Sequence, residues 1–158
     1  MATLTSTRAA STFPVFKNSA GAGAVSAAYG SYALTANPTA ADIIEFCKVP
    51  AGAVILGGWF RAEDIDSDAT EEVDIDIGYA ANGDVVADPD AFGNFGVLNG
   101  DAVTNYLPEG GVLLPLHGTL ADRFVTLNKE TTIIGTVNVD SATFAAGTVS
   151  VVVLYVNP

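Results

Sequence analysis

Short apolar segments, separated by turn-forming residues, follow one another along the chain from residue 25 to its end. In the most regular of them, from Val73 to Tyr79, branched apolar residues alternate with Asp74 and Asp76, which is the period of a half-buried β-strand. No long helical period occurs, although Asp88 followed by proline predicts the start of one short helix over 88–92. We predict strands over 25–34, 42–49, 53–60, 73–79, 112–117, 123–127, 131–139 and 148–156.

Strands of this length and spacing predict an all-β fold, an antiparallel β-sandwich of about eight strands that is jelly-roll-like. The segment 53–60 is apolar at successive positions, so we predict a central strand that is buried on both faces, with Trp59 in the core. The pair Gly57-Gly58 within it predicts a β-bulge or a close approach of two backbones. At 158 residues, the chain is long enough for one domain with its own core.

The first 24 residues differ from the rest because Thr, Ser, Ala and Gly dominate them. Such a stretch has little apolar surface to bury, so we predict two parts: an extended N-terminal arm over 1–24 and a β-sandwich domain over 25–158. The arm is either terminal disorder or a segment that becomes ordered against a neighbouring subunit. Its candidate contact residues are Phe13, Pro14, Val15 and Phe16.

The formal net charge is −12, from six Lys and Arg against 18 Asp and Glu. A surface of this sign is repelled by phosphate backbones and by anionic membranes, so we expect no nucleic-acid or membrane partner. No apolar run approaches the roughly 18 residues of a membrane span. The first residues lack the apolar core of a secretory signal, which leads us to expect synthesis in the cytoplasm.

Eight of the 18 acidic residues lie in the 14 positions from Glu63 to Asp76, which we call the acidic segment. It begins with the oxygen-ligand spacing of an EF-hand, but Ala69 stands where the turn needs Gly and Ile75 where the bidentate Glu belongs. A solvated acidic loop is the favoured interpretation, and an irregular Ca²⁺ site stays open. In the strand that follows, we expect Asp74 to face water or a neighbouring subunit together with Asp76.

Catalytic chemistry finds little support in the sequence. Asp74 and Asp76 lie two strand positions apart, but a crowd of like charges does not distinguish an acid from a base. The single histidine, His117, and the single cysteine, Cys47, stand outside any nucleophile or zinc motif, and Cys47 fits a buried apolar position. No nucleotide-binding glycine motif is present. We therefore predict that the protein is not an enzyme and has no catalytic residues, no metal-ligating residues and no cofactor.

Several motifs resemble a group of small structural proteins of tailed bacteriophages. In that group a strand ending in Lys-x-Pro-x-Gly-Ala leads to an apolar strand, then to an Asp-Ile-Gly strand and an Asp-Pro-Asp turn. The resemblance covers roughly residues 25–158. It is carried by 47–53 (Cys-Lys-Val-Pro-Ala-Gly-Ala), 74–83, 88–93 (Asp-Pro-Asp-Ala-Phe-Gly), 100–103 (Gly-Asp-Ala-Val) and 130–134.

The resemblance implies a bacteriophage virion protein, and within that class a capsid decoration (cement) subunit. Such a subunit would bind the major capsid protein lattice from the capsid exterior, stabilise the head and form homo-oligomers, commonly trimers, after synthesis in the host cytoplasm. A tail or head-fibre component is the first alternative. The second belongs to another class, a Ca²⁺-dependent carbohydrate-binding module, suggested by the acidic segment and by Trp59, Tyr79 and Tyr106.

Overall fold

The computed structural model describes residues 2–13, 24–94, 97–98, 109–113 and 125–157. These residues contain no helix, so none that could cross a membrane. The predicted contact residues Pro14, Val15 and Phe16 lie outside the described residues, as do Tyr106 and His117. The strands in chain order are β1 (Thr3–Thr5), β2 (Val25–Leu34), β3 (Ile43–Val49), β4 (Ala53–Ala62), β5 (Asp74–Tyr79), β6 (Asp88–Gly93), β7 (Glu109–Leu113), β8 (Thr126–Leu127), β9 (Thr131–Val139) and β10 (Gly147–Val156).

The strands form two five-stranded sheets. Sheet A has the order β1-β3-β9-β5-β6, and sheet B has the order β2-β10-β4-β7 with β8 also paired to β4. All of these pairings are antiparallel apart from the parallel pair of β1 and β3. The predicted all-β antiparallel sandwich is therefore confirmed.

The core lies between the two sheets and consists of the inner-face side chains of both. Phe46 of sheet A meets Phe60 of sheet B edge to face, with ring centroids 6.4 Å apart. Val73, Ile75 and Ile77 are fully buried, as their alternation predicted. Cys47 is buried among them, and burial raises the pKa of its thiol to about 12, which agrees with an apolar packing role.

The predicted helix over 88–92 is wrong, because these residues form β6. β6 pairs with β5 and gains backbone hydrogen bonds there, which outweighs the local helix-start signal of Asp88. The pairing depends on Gly78 of β5, since a Cβ at that position would overlap the backbone carbonyl of Asp88.

Residues 2–13 of the predicted arm contact the sandwich of their own chain. β1 extends sheet A next to β3, and the Ser6 hydroxyl donates to the backbone carbonyl of Phe46. Ala9 is buried, and Phe13 is half-buried. This part of the chain covers the edge strand β3, which would otherwise expose unpaired backbone groups. The division between arm and domain at residue 24 remains a prediction.

Candidate functional site

The outer face of sheet B carries a continuous set of apolar side chains. Val152 of β10 pairs with Tyr29 on one side and with Trp59 on the other, so the three side chains form one row across the sheet. A second row is formed by Val156, which pairs with both Val25 and Val54. We call this surface the apolar face and define it by Val25, Ala27, Tyr29, Val54, Leu56, Trp59, Val152, Leu154 and Val156.

The prediction that β4 is buried on both faces is wrong. Trp59 is 51% exposed and Tyr29 49% exposed, while Val54 and Leu56 are only partly buried. The physical reason is the number of layers: the inner face of sheet B meets sheet A, whereas no third layer of described residues covers its outer face. A local apolar run does not reveal how many layers will cover it.

A β-bulge fixes the direction of Trp59. The register between β4 and β10 shifts so that Leu154 pairs with Gly57 but Tyr155 pairs with Ile55. A Cβ at Gly58 would overlap the backbone carbonyl of Val152, so the two strands approach closely there. The predicted bulge and close approach at the glycine pair are confirmed, and together they leave Trp59 on the outer face.

The charged residues at the border of the apolar face are positive, whereas the whole chain is negative. β2, β4 and β10 contain no Asp or Glu, although the chain has a net charge of −12. Arg61 of β4 is exposed at one end of the face, next to Trp59 on the same strand face. Arg8 lies at another border, with its guanidinium carbon 3.8 Å from the centroid of the Tyr29 ring. The face is therefore apolar with a cationic rim.

Arg8 also connects the apolar face to the arm. Its Nη2 donates a hydrogen bond of 2.6 Å to the Tyr29 hydroxyl, and its guanidinium carbon lies 5.0 Å from the centroid of the Phe13 ring. Of the four predicted contact residues, Phe13 is the one that the structure describes, and it lies beside this border. The sequence analysis did not select Tyr29 or Val152. The absence of carboxylates from three strands of so acidic a chain could have indicated this face.

The acidic segment behaves differently, because its central carboxylate binds its own chain. Asp66 is 1% exposed and accepts hydrogen bonds from the backbone amides of Glu72 (3.0 Å), Thr143 (3.0 Å), Ala142 (3.2 Å) and Asp68 (3.4 Å). Burial alone would raise the pKa of Asp66, but the backbone hydrogen bonds outweigh it and hold the pKa well below its ordinary value. Asp66 is thus a structural anion and is not solvated as expected.

Neighbouring carboxylates of the acidic segment also accept hydrogen bonds from their own chain. Asp68 accepts from the amide of Thr70 and from the hydroxyl of Thr143, and Glu63 accepts from the amide of Thr148. These contacts tie the segment to the 142–148 region, so its oxygens complete turns and strand ends. Within the described residues, no group of three or more His, Cys, Asp or Glu is placed to hold a metal ion.

Asp74 and Asp76 lie on the outer face of sheet A, as their alternation predicted. We expected both to face water or a neighbouring subunit, but Asp76 is only 6% exposed, so little of its surface is available to either. Burial raises the pKa of Asp76, the hydrogen bond from Asn138 opposes this, and the charges of Asp74 and Asp90 raise it further.

Three solved structures contain chains of the same fold. A chain of the capsid of Ralstonia phage GP4 aligns over 99% of both chains with a TM-score of 0.73 and 20% identity. A chain of the cyanophage Pam1 capsid asymmetric unit covers 94% of this chain and 96% of its own length, with a TM-score of 0.65 and 24% identity. A chain of the acidic stable capsid of Helicobacter pylori bacteriophage KHP30 covers 86% and 90%, with a TM-score of 0.58 and 12% identity.

This chain has the fold of whole chains from phage capsids. Because all three identities are below 25%, the likeness concerns the fold, and it agrees with the resemblance seen in the sequence motifs. No protein-family model matches the chain, and no curated protein matches it.

Proposed function

We propose that this chain is a structural protein of a bacteriophage virion, and within the virion a decoration subunit that binds the outside of the major capsid protein lattice and stabilises the head. The observation that carries the proposal is the fold likeness over nearly the full length of chains from three phage capsids. Those alignments span 90–99% of the matched chains, so the likeness joins chains of similar length. We assign no catalytic activity to the chain.

The apolar face is the surface that we assign to the contact with the capsid lattice. Trp and Tyr, both exposed on this face, are among the residue types that contribute most to protein–protein binding. Arg61 and Arg8 at its rim would pair with carboxylates of the partner, whereas the acidic remainder of the chain would repel such a partner. The partner surface should therefore be apolar and bordered by acidic groups.

The arm is part of the same proposed contact. Phe13 lies beside the Arg8 border of the apolar face, and Pro14, Val15 and Phe16 follow it in the sequence. Residues 2–12 pack on their own sandwich, so the proposal concerns the segment from Phe13 to Phe16, which would add buried area if it lay on a neighbouring capsid subunit. We also propose that the chain forms a trimer, as the motif resemblance implies.

The proposal is tested with purified particles and with empty capsid shells that lack this protein. Quantitative mass spectrometry of the particles should give hundreds of copies of the chain, and the added protein should co-sediment with the shells to saturation. A copy number of six or twelve would contradict the decoration role and favour a tail or head-fibre component.

A carbohydrate-binding module is the second candidate, because Trp59 and Tyr29 are exposed on the same sheet face, about 10 Å apart across two strand spacings. Two features weigh against it. The Tyr29 ring is already stacked by Arg8, and Tyr79 packs against Phe92 with ring centroids 5.8 Å apart. Retention of the wild-type protein on polysaccharide columns, lost in Trp59→Ala, would favour this candidate over the virion role.

A further inference from the structure

Three buried oxygen atoms on the outer face of sheet A have no hydrogen-bond partner. They are Oδ1 of Asp74, Oδ1 of Asp76 and Oγ1 of Thr136. Asp76 and Thr136 are direct cross-strand partners of β5 and β9, so their Cβ atoms are about 5 Å apart. Asp74 lies two residues before Asp76 on the same strand. A buried polar atom without a partner in its own chain is uncommon, and it takes a partner from outside the chain, either water or an ion.

Asn138 contacts both carboxylates. Its Nδ2 lies 2.7 Å from Oδ2 of Asp76 and 3.3 Å from Oδ2 of Asp74, so one amide group holds one oxygen of each carboxylate. The second oxygen of each carboxylate is left unpaired. Asn94 Nδ2 also lies 3.5 Å from Oδ2 of Asp76, so the amide donors restrain the two side chains through their Oδ2 atoms.

No positive side chain compensates this pair within the part of the chain that the structure describes. The ion pair found there joins Lys48 to Glu130, which lie elsewhere on the molecule. Asp90 adds a further negative charge near Asp76. Asp76 is buried and Asp74 beside it is partly buried, and a buried carboxylate without a counter-charge is costly unless a cation or a proton neutralises it.

We propose that an oxygen-ligated divalent cation, Ca²⁺ or Mg²⁺, binds between β5 and β9 to Oδ1 of Asp74, Oδ1 of Asp76 and Oγ1 of Thr136. Hard divalent cations prefer carboxylate and hydroxyl oxygens and complete their shells with water. With only two carboxylates, the affinity should fall in the weak range of about 10⁻⁴ to 10⁻³ M. The ion would fasten the central strands of sheet A to each other, and it lies on the opposite side of the sandwich from the apolar face.

The test is thermal unfolding and calorimetric titration of the full chain after EDTA treatment and dialysis. At 10 mM CaCl₂ or MgCl₂, we expect the Tm to rise by about 4–7 °C above that in KCl of equal ionic strength. The titration should give one ion per chain. A Tm rise no larger than that in KCl would overturn the proposal, because the effect would then be screening of the −12 charge.

Variants locate the site. Asp76→Asn should lose the specific Tm rise, and Thr136→Val, which keeps the shape of the side chain, should weaken binding severalfold. Asp68→Asn is the matched control, because both oxygens of Asp68 already have donors in the neighbouring loop. A full cation response in Asp76→Asn or in Thr136→Val would overturn the assignment, as would its loss in Asp68→Asn.

Discussion

The apolar face and the acidic segment each differ from what their sequences suggest: the apolar strand is exposed, and the acidic segment is bound within its own chain. The segment from Glu63 to Asp76 has the composition of a reactive or ion-binding site, yet its central carboxylate, Asp66, is spent on four backbone amides of its own chain. Strand β4 has the composition of a core strand, yet Trp59 stands 51% exposed on the outer face of sheet B. The contact surface that we propose is therefore the one where the chain leaves apolar groups without a cover.

The difference shows that exposure, rather than residue type, separates a structural role from a binding role. A carboxylate that already has four donors has little left to offer a ligand, whereas an exposed Trp beside Tyr and Val gains by meeting an apolar partner. The carboxylates of Asp74 and Asp76 are the exception within the acidic segment, since each keeps one unpaired oxygen.

The largest effect is expected from removing the carboxylate of Asp66. Asp66→Ala leaves four backbone amides without their acceptor and should lower the free energy of unfolding by about 4 kcal/mol, as measured by urea denaturation at pH 7. Asp64→Ala is the matched control, an exposed acid two positions away. If Asp66→Ala costs no more than Asp64→Ala, the acidic segment is not held by Asp66.

Asp66 also predicts the response to acid. Its lowered pKa means that its contribution is fully present above the unfolded pKa of about 3.8 and is lost as the pH falls further toward the folded pKa. The stability difference between the wild type and Asp66→Ala should therefore shrink below about pH 4. A difference that stays constant down to pH 2 would contradict the assignment of the hydrogen bonds to the ionised carboxylate.

The second effect concerns the apolar face. Trp59→Ala should weaken the binding of the protein to capsid shells by about 2–3 kcal/mol, on the order of 30- to 150-fold in Kd, with little loss of fold stability because the ring is exposed. Val86→Ala removes another exposed apolar side chain, 85% exposed and away from this face, and should leave binding unchanged. Equal effects of the two changes would remove the special role of the apolar face.

A smaller effect of opposite sign is expected at Asp76. Because burial raises the pKa of Asp76, its ionised form opposes folding, so Asp76→Asn in EDTA should raise the free energy of unfolding at pH 7 by about 1 kcal/mol. The gain should disappear as the pH falls through the raised pKa, where the folded wild type becomes protonated. A gain that grows toward low pH would contradict this sign.

The smallest effect is expected at Arg8. Arg8→Ala removes the stacking on Tyr29 and its hydrogen bond, which together should cost about 1 kcal/mol of stability. Lys48→Ala is the control, since the partly exposed ion pair with Glu130 should contribute less than about 0.5 kcal/mol. Hydrogen exchange of residues 6–13 should quicken in Arg8→Ala and not in Lys48→Ala.

The strands could be predicted where the alternation is local. The bounds of β2 and β9 agree with the predicted 25–34 and 131–139, because each strand carries its own period of two and its own turn residues. β1 and β6 could not be predicted, since three residues of Thr-Leu-Thr and a proline-containing segment become strands only when β3 and β5 supply partners. Two of the four amides that donate to Asp66, those of Ala142 and Thr143, lie more than 70 residues away in sequence, so its role was equally hidden.

The exposed orientation of Trp59 could not be predicted from the sequence. Its strand is apolar at successive positions, and that pattern is the same whether two or three layers surround the strand. What the sequence did contain is the exclusion of carboxylates from β2, β4 and β10, which is a property of three distant segments taken together.

A cryo-EM reconstruction of the particle tests the central claim most directly, because it locates the chain and its contacting face together. We predict that the chain lies on the outside of the head, with Trp59 and Tyr29 against an apolar lattice surface bordered by acidic groups and with sheet A facing solvent. A map with the chain in the tail, or with the apolar face turned to solvent, would contradict the account.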